Sequence, residues 1–279
     1  MDDIPVWSKD HVRMHFPHRQ SGSHKGTHGT ALLIAGSPGM PGAAVLSAIA
    51  AMRSGLGKLV VATARESVTP IASRVPEATF DPELMERIND PELDLTSYKA
   101  IAIGPGMLPD QKTEAAVEHL LQLGKPLVLD AGALSERTYA KTGGPVILTP
   151  HPGEFSRITG VSVEKLQQHR AYHTANWAAK LGVTIVLKGQ KTVISFPDGE
   201  TYLNATGNSA LAKGGTGDTL TGMLLGMLCC HDDWRHAVLN AVHLHGACAD
   251  EWTKARSSHT LLAHELMDLL PTVMKSYEQ

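Results

Sequence analysis

From Thr30 onward the chain alternates short, continuous apolar runs with longer stretches whose apolar positions recur at helical spacing. The runs are TALLIAG (30–36), KLVVAT (58–63), AIAIG (100–104), PLVLDA (126–131), VILTP (146–150) and TIVLKG (184–189). Their apolar residues are consecutive rather than alternating, so they predict strands covered on both faces, as in a central parallel sheet. Between them, AAVLSAIAAMRSG ends on Gly55 and TEAAVEHLLQLG on Gly124, glycines where a helix stop is expected. Such βαβ units cross over with a right hand.

After Gly189 the pattern changes. KTVISF, then Pro197-Asp198-Gly199, then ETYLNAT predict a hairpin on an Asp-Gly turn, an antiparallel edge on the parallel sheet. From Asp218 the chain reads as three helices, over about 218–230, 234–254 and 260–277, with no strand among them. No internal repeat, low-complexity segment or linker divides the sequence, which predicts one α/β domain over 1–279.

Composition changes the picture mainly by exclusion. With 42% hydrophobic and 19% charged residues the chain is not a disordered tail. Lys plus Arg is 25 against 28 Asp plus Glu, a net charge of −3, and no like-charge block forms a nucleic-acid arm. An uncharged run from Gly29 to Met52 is long enough to cross a bilayer, but Gly36, Pro38, Gly39, Pro41 and Gly42 break it into strand, loop and helix. No membrane partner is expected. Cys229, Cys230 and Cys248 fit neither a disulfide framework nor a zinc spacing, and the two early aspartates stand where a signal peptide carries positive charge. A reducing, cytoplasmic setting is the simplest expectation.

The most informative segment is 208–218, NSALAKGGTGD, which runs directly into the apolar TLTGMLLGML. Gly214, Gly215, Thr216 and Gly217 before a helix leave amides free to point at one anion, and the helix dipole adds positive potential there. Asp218 reads either as an N-cap or as a base taking a proton from a hydroxyl that attacks a bound phosphate. A carboxylate placed against an anion site favours the second reading. In Thr149-Pro150-His151-Pro152-Gly153-Glu154, after a candidate strand, Glu154 reads as a first-turn acid or as an outer-shell Mg²⁺ ligand, and His151 as a turn residue or a ligand contact. Lys188-Gly189-Gln190-Lys191-Thr192 offers two ammonium groups and a glycine at a strand end, as solvated turns also do. The loops 36–44 and 104–106 offer further polar backbone at strand ends, the first without a Walker ending, and Asp130 ends the fourth run. His11, His15, His18, His24 and His28 cluster without completing a metal signature, His243 and His245 read as structural, and Cys229 and Cys230 as packing residues.

Taken in order, KGTHGTALLIAGSPGMPGAAVLSAIAAMRSGLG, TPHPGEFSRITG, VLKGQKTVI and NATGNSALAKGGTGDTLTGML resemble the ADP-dependent NAD(P)H-hydrate dehydratases, carbohydrate-kinase-like members of the ribokinase superfamily. The resemblance implies a three-layer α/β/α fold and repair of NADHX and NADPHX, the hydrated nicotinamide cofactors. It implies dehydration of their S-epimers to NADH and NADPH with AMP and phosphate as by-products, using ADP as co-substrate, with ATP as an alternative, and Mg²⁺. It further implies hydrate contacts at Ala43, Gly106, His151 and Asp218, adenine nucleotide along Lys188, Gly189, Gln190, Lys191 and Thr192 and against Gly217, a homotetramer, and an epimerase as a separate protein. His151 stands where sugar and vitamin kinases of the superfamily tend to carry Asn in Asn-x-x-Glu, which speaks against an ordinary kinase. A vitamin-precursor kinase and a nucleotide sensor without turnover remain the alternatives.

Overall fold

The computed structural model describes residues 4–90, 92–139 and 143–278. A short helix α1 (Lys9–Met14) precedes β1 (Thr30–Ile34), α2 (Pro41–Arg53), β2 (Lys58–Ala62), α3 (Arg65–Ala72), β3 (Thr79–Phe80), β4 (Ala100–Ile103), α4 (Gln111–Leu121) and β5 (Leu127–Leu129). Then follow β6 (Val146–Leu148), α5 (Pro152–Thr159), α6 (Val163–Gln168), α7 (Arg170–Leu181), β7 (Thr184–Leu187), β8 (Val193–Ser195) and β9 (Thr201–Leu203). The chain closes with α8 (Thr216–Cys230), α9 (Trp234–Thr253) and α10 (Ala263–Lys275).

All described strands lie in one sheet of order β3-β2-β1-β4-β5-β6-β7-β8-β9. Pairing is parallel from β3 to β7 and antiparallel along β7-β8-β9, so the expected parallel sheet and antiparallel edge are both present. Each predicted apolar run is a strand that stops one or two residues short of its expected end, because those last residues turn out of the sheet into loops. The strand interiors of β4, β5, β6 and β7 are fully buried. Alternate residues face opposite layers. Leu33, Ala102, Val128 and Val186 join α2, α8, α9 and α10 in one core, whereas Leu32, Ile103, Leu129 and Leu187 join α4, α5, α6 and α7 in the other.

One helix contact positions everything that follows. α2 and α8 cross so closely that a Cβ on Gly222 would stand 2.1 Å from the Ser47 carbonyl oxygen. The small residues Ala44, Ser47, Ala48 and Ala51 of α2 make that approach sterically allowed. The last helix is shorter at both ends than the predicted 260–277, and α9 matches 234–254 to within a residue. α8 begins at Thr216, two residues before the predicted start, with consequences for Asp218 described below.

His243 and His15 act as packing residues. His243 lies between the Trp7 carbonyl at 3.1 Å and the Tyr277 hydroxyl at 2.9 Å, so Nδ1 donates and Nε2 accepts. His15 stacks on His236 at 3.7 Å between ring centroids, and both stack on Trp7. Among the described residues no group of His, Cys, Asp and Glu has the arrangement of a metal site. Burial pushes the Cys229 and Cys248 thiols up to about 12, which fits packing rather than reactivity. No described helix is long and apolar enough to cross a membrane.

Candidate active site

The loops at the carboxyl ends of the parallel strands meet over α8, the edge at which open α/β sheets bind ligands. The Gly36 amide donates to the Pro105 carbonyl at 2.8 Å, joining the loop after β1 to that after β4. Gly106, at φ +66, is so close to α2 that a Cβ there would lie 2.8 Å from Ala43 Cβ. Ala43 and Gly106, separated by the whole β2–β4 segment, therefore form one patch of backbone.

Asp130, 1% exposed at the end of β5, is fully engaged. Its Oδ1 accepts from Thr149 Oγ1 at 2.8 Å and from Lys188 Nζ at 2.9 Å, and its Oδ2 accepts from Thr221 Oγ1 at 2.8 Å. Lys188 Nζ also lies 3.8 Å from Glu154 Oε2. Burial pulls the Lys188 ammonium down, but Asp130, Glu154 and Asp218 together raise it above the ordinary lysine range. The Lys188 ammonium thus faces the buried carboxylates while the residue also lines the cavity described below, and Lys191, exposed at φ +52, is the outward lysine of the loop.

His151 is the N-cap of α5. Its Nδ1 accepts from the Gly153 amide at 3.0 Å and the Glu154 amide at 3.3 Å, while Glu154 Oε2 accepts from the His151 amide at 2.8 Å. An imidazole that caps through Nδ1 carries its proton on Nε2, here 3.5 Å from Glu154 Oε1. The open readings of both residues converge on this reciprocal box, which holds the Nε2–H of His151 at the site's edge.

At the head of α8, Gly215 takes φ +91 and caps the helix without a side chain. The Thr216 hydroxyl is shared between the Leu211 and Lys213 carbonyls at 2.9 Å each, which braces this turn from inside. The Gly217 and Asp218 amides, at the second and third helical positions, have no partner one turn back within the helix, and Gly214 stands open beside them. Asp218 is therefore a first-turn residue and not the N-cap, which corrects the alternative reading. Burial first, and Asp130 second, push its carboxyl up to about 6 against the opposing pull of Lys188.

Beside this turn opens a cavity of about 680 Å³ lined by the whole segment from Lys188 to Thr192 and by Gly217. All six residues expected to hold the nucleotide thus share one enclosure, and the hydrate residues Ala43, Gly106 and His151 lie outside it.

The family description NAD(P)H-hydrate dehydratase matches residues 31–272. The chain belongs to the NAD(P)H-hydrate dehydratase family. An ADP-dependent (S)-NAD(P)H-hydrate dehydratase of Bacillus subtilis is 59% identical over 276 residues, which cover 99% of this chain and 100% of that protein. A solved ADP/ATP-dependent NAD(P)H-hydrate dehydratase from the same organism, co-crystallised with ATP and Mg²⁺, is 58% identical with a TM-score of 0.97 and full coverage of both chains. A ribokinase-like superfamily protein of Enterococcus faecalis is 29% identical with a TM-score of 0.86, covering 100% of this chain and 98% of that one.

Membership in the hydrate dehydratase family directs attention to what sequence reasoning missed. Asn204, Asn208 and His245 also line the cavity. Asn208 Nδ2 donates to Asp250 Oδ1 at 2.9 Å, and Asp250 Oδ2 accepts from the Gly207 amide at 2.9 Å, so α9 pins the loop that walls the pocket. The Thr219 hydroxyl donates to the Thr216 carbonyl at 2.8 Å and so must accept from His245 Nε2 at 3.0 Å. Burial lowers the His245 imidazole to about 4, keeping it neutral. The two asparagines carried a readable signal, a polar cluster beside Gly207, but His245 sits in an apolar helix and carried none.

Proposed function

We propose that this chain carries out ADP-dependent dehydration of the S-epimers of NADHX and NADPHX, returning NADH and NADPH with release of AMP and phosphate. The observation that carries the proposal is Asp218: a largely buried carboxyl in a first helical turn without a side-chain cap, pushed up to about 6, next to the cavity residue Gly217 and tied through its carbonyl to α2, the helix that carries Ala43. The nucleotide lies in the cavity along Lys188, Gly189, Gln190, Lys191 and Thr192 and against Gly217. The hydrate lies across Ala43, Gly106 and His151 with its C6 hydroxyl at Asp218.

Hydroxide is a poor leaving group, and phosphorylation removes that obstacle. Asp218 takes the C6 hydroxyl proton as its oxygen attacks the terminal phosphorus of ADP, and the bond from phosphorus to the AMP oxygen breaks. Amides of the Gly214–Gly217 turn face the developing charge. The ring-nitrogen lone pair then expels phosphate from C6, and loss of the C5 proton restores the dihydropyridine. His151 does not take that proton while its Nδ1 accepts the Gly153 and Glu154 amides, so its Nε2–H serves as a donor to the substrate. Mg²⁺ keeps most of its waters and binds through few carboxylates plus phosphates, so it needs no protein cage. Glu154 Oε1, clear of the backbone contact made by Oε2, fits a water-mediated role beside the nucleotide phosphates, where the ion supplies charge neutralisation. The reading extends to a single domain over 1–279 acting as a cytoplasmic homotetramer.

The test is to incubate the purified protein with Mg²⁺, ADP and chemically prepared NADHX or NADPHX. The expected result is a rise in reduced-nicotinamide absorbance with AMP and phosphate formed in equal amounts. A folded, nucleotide-binding protein that gives no such rise with ADP or ATP rejects the proposal, and accumulation of a phosphorylated hydrate identifies a kinase instead.

A further inference from the structure

A buried carboxylate is strongly unfavourable unless paired and hydrogen-bonded, and Asp130 has both kinds of partner. Thr149 at the end of β6 and Thr221 in α8 hold one oxygen each at 2.8 Å. Thr221 lies three residues after Asp218, on the same face of α8. The third partner, Lys188 Nζ, also sits 3.2 Å from where a Cβ on Gly217 would stand, against the first turn of the helix. The missing side chain at Gly217 leaves room for the ammonium at this point.

We infer that Lys188 and Asp130 are positioning residues of the transfer step: Asp130, clamped by Thr149 and Thr221, holds the Lys188 ammonium against the first turn of α8, where its charge supports the anionic form of the Asp218 base while Lys188 still lines the nucleotide cavity. This rests on the reading of Asp218 as the base. The groups that face Asp218 come from several elements: Asp130 from the end of β5, Lys188 from the end of β7, Glu154 of α5 across Lys188, and neutral His245 of α9 behind Thr219. α2 and α10 bring the uncharged Leu46, Ser47 and Ala263 to the same end. Lys188 is thus the cation that opposes both burial and the Asp130 charge at the base, and Asp130 in turn fixes where that cation stands.

The test is the pH dependence of kcat/KM in Lys188→Met and Asp130→Asn, with ADP affinity measured by calorimetry. Lys188→Met should move the acidic limb to higher pH by about one unit, and Asp130→Asn to lower pH by about one unit. If Lys188→Met fails to fold because Asp130 is left unpaired, the double variant Asp130→Asn/Lys188→Met removes both charges, and its limb should lie about one unit above that of Asp130→Asn alone. Infrared titration of the Asp218 carboxyl, by difference against Asp218→Asn, reads the same shifts without turnover, so it separates failure of this inference from failure of the hydrate chemistry. Limbs and carboxyl titrations that stay in place while activity falls would overturn the inference, as would a tenfold loss of ADP affinity in Lys188→Met with an unmoved limb.

Discussion

Ser47 Oγ donates a hydrogen bond to the backbone carbonyl of Asp218 at 3.0 Å, which ties the proposed base to the middle of α2. The same helix carries Ala43, a proposed hydrate contact, one turn earlier. Base and substrate surface are therefore held by one rigid element, so that a shift of α8 relative to α2 changes the distance between them.

Ser47→Ala removes that tie without changing the packing volume much. A typical intramolecular hydrogen bond contributes about 0.5–1.5 kcal/mol net, and the expected loss of stability falls in that range. Turnover should fall more than ADP affinity, because the cavity residues 188–192 lie on a different element. Denaturant unfolding and kinetics on the same preparation check both; equal losses in turnover and ADP affinity would contradict the expectation.

Gly222→Ala probes the crossing itself. Alanine is better in a helix than glycine by up to about 1 kcal/mol, which alone would stabilise the variant. Here its Cβ would meet the Ser47 carbonyl at 2.1 Å and Ala50 Cβ at 2.7 Å, and backbone cannot give way as a side chain tip can. Overpacking of this kind costs about 1–3 kcal/mol, so a net loss of stability with reduced turnover is expected. A melting temperature at or above that of the parent would show that the helices separate freely.

The strands, their parallel character and the antiparallel edge were legible because continuous apolar runs have few alternatives in a two-sided sheet. α3 and β3 were not, since α3 is eight residues with Pro70 inside it and β3 is a two-residue strand. The start of α8 was read two residues late because Gly-Thr-Gly looks like loop, whereas Gly215 in the left-handed region lets the helix begin at once. Asp218 was legible from local context. The partner of Lys188 was not, because Asp130 is 58 positions away in the chain, and Thr221 is 91 positions from Asp130. No spacing rule pairs such residues; the sheet order does.

Acid stability should report the buried histidines. Burial lowers His231 and His245 to about 4 from 6.5, so each contributes stability that is complete above pH 6.5 and is lost as pH falls toward 4. His231 donates from Nδ1 to the Met227 carbonyl at 2.9 Å and accepts from Asn240 at 3.0 Å, far from the proposed base. His231→Gln should therefore be less stable at neutral pH but lose less of its melting temperature between pH 6.5 and 4. Parallel melting curves for variant and parent over that interval would contradict this.

Asp218→Asn separates a base from a structural acid most sharply. The parent carboxyl is raised from 3.8 to about 6, so the folded state binds its proton more tightly than the unfolded chain does. For a carboxyl raised in this way the penalty is present above about pH 6 and disappears as pH falls toward 3.8, a contribution of up to about 3 kcal/mol. Asparagine removes the penalty, so the variant should melt higher than the parent at pH 8 and lose that advantage by about pH 4. ADP binding should hold or tighten, since a negative charge facing the phosphates is gone, while turnover should fall by about 10²–10⁴-fold. In the parent, kcat/KM should decline below about pH 6 as the base protonates. A residue serving only the helix terminus would give another result: Asn and Asp act similarly there, and the variant would keep its activity. High turnover in a well-folded Asp218→Asn protein therefore rejects the base, whereas lost turnover with intact folding and ADP binding supports it.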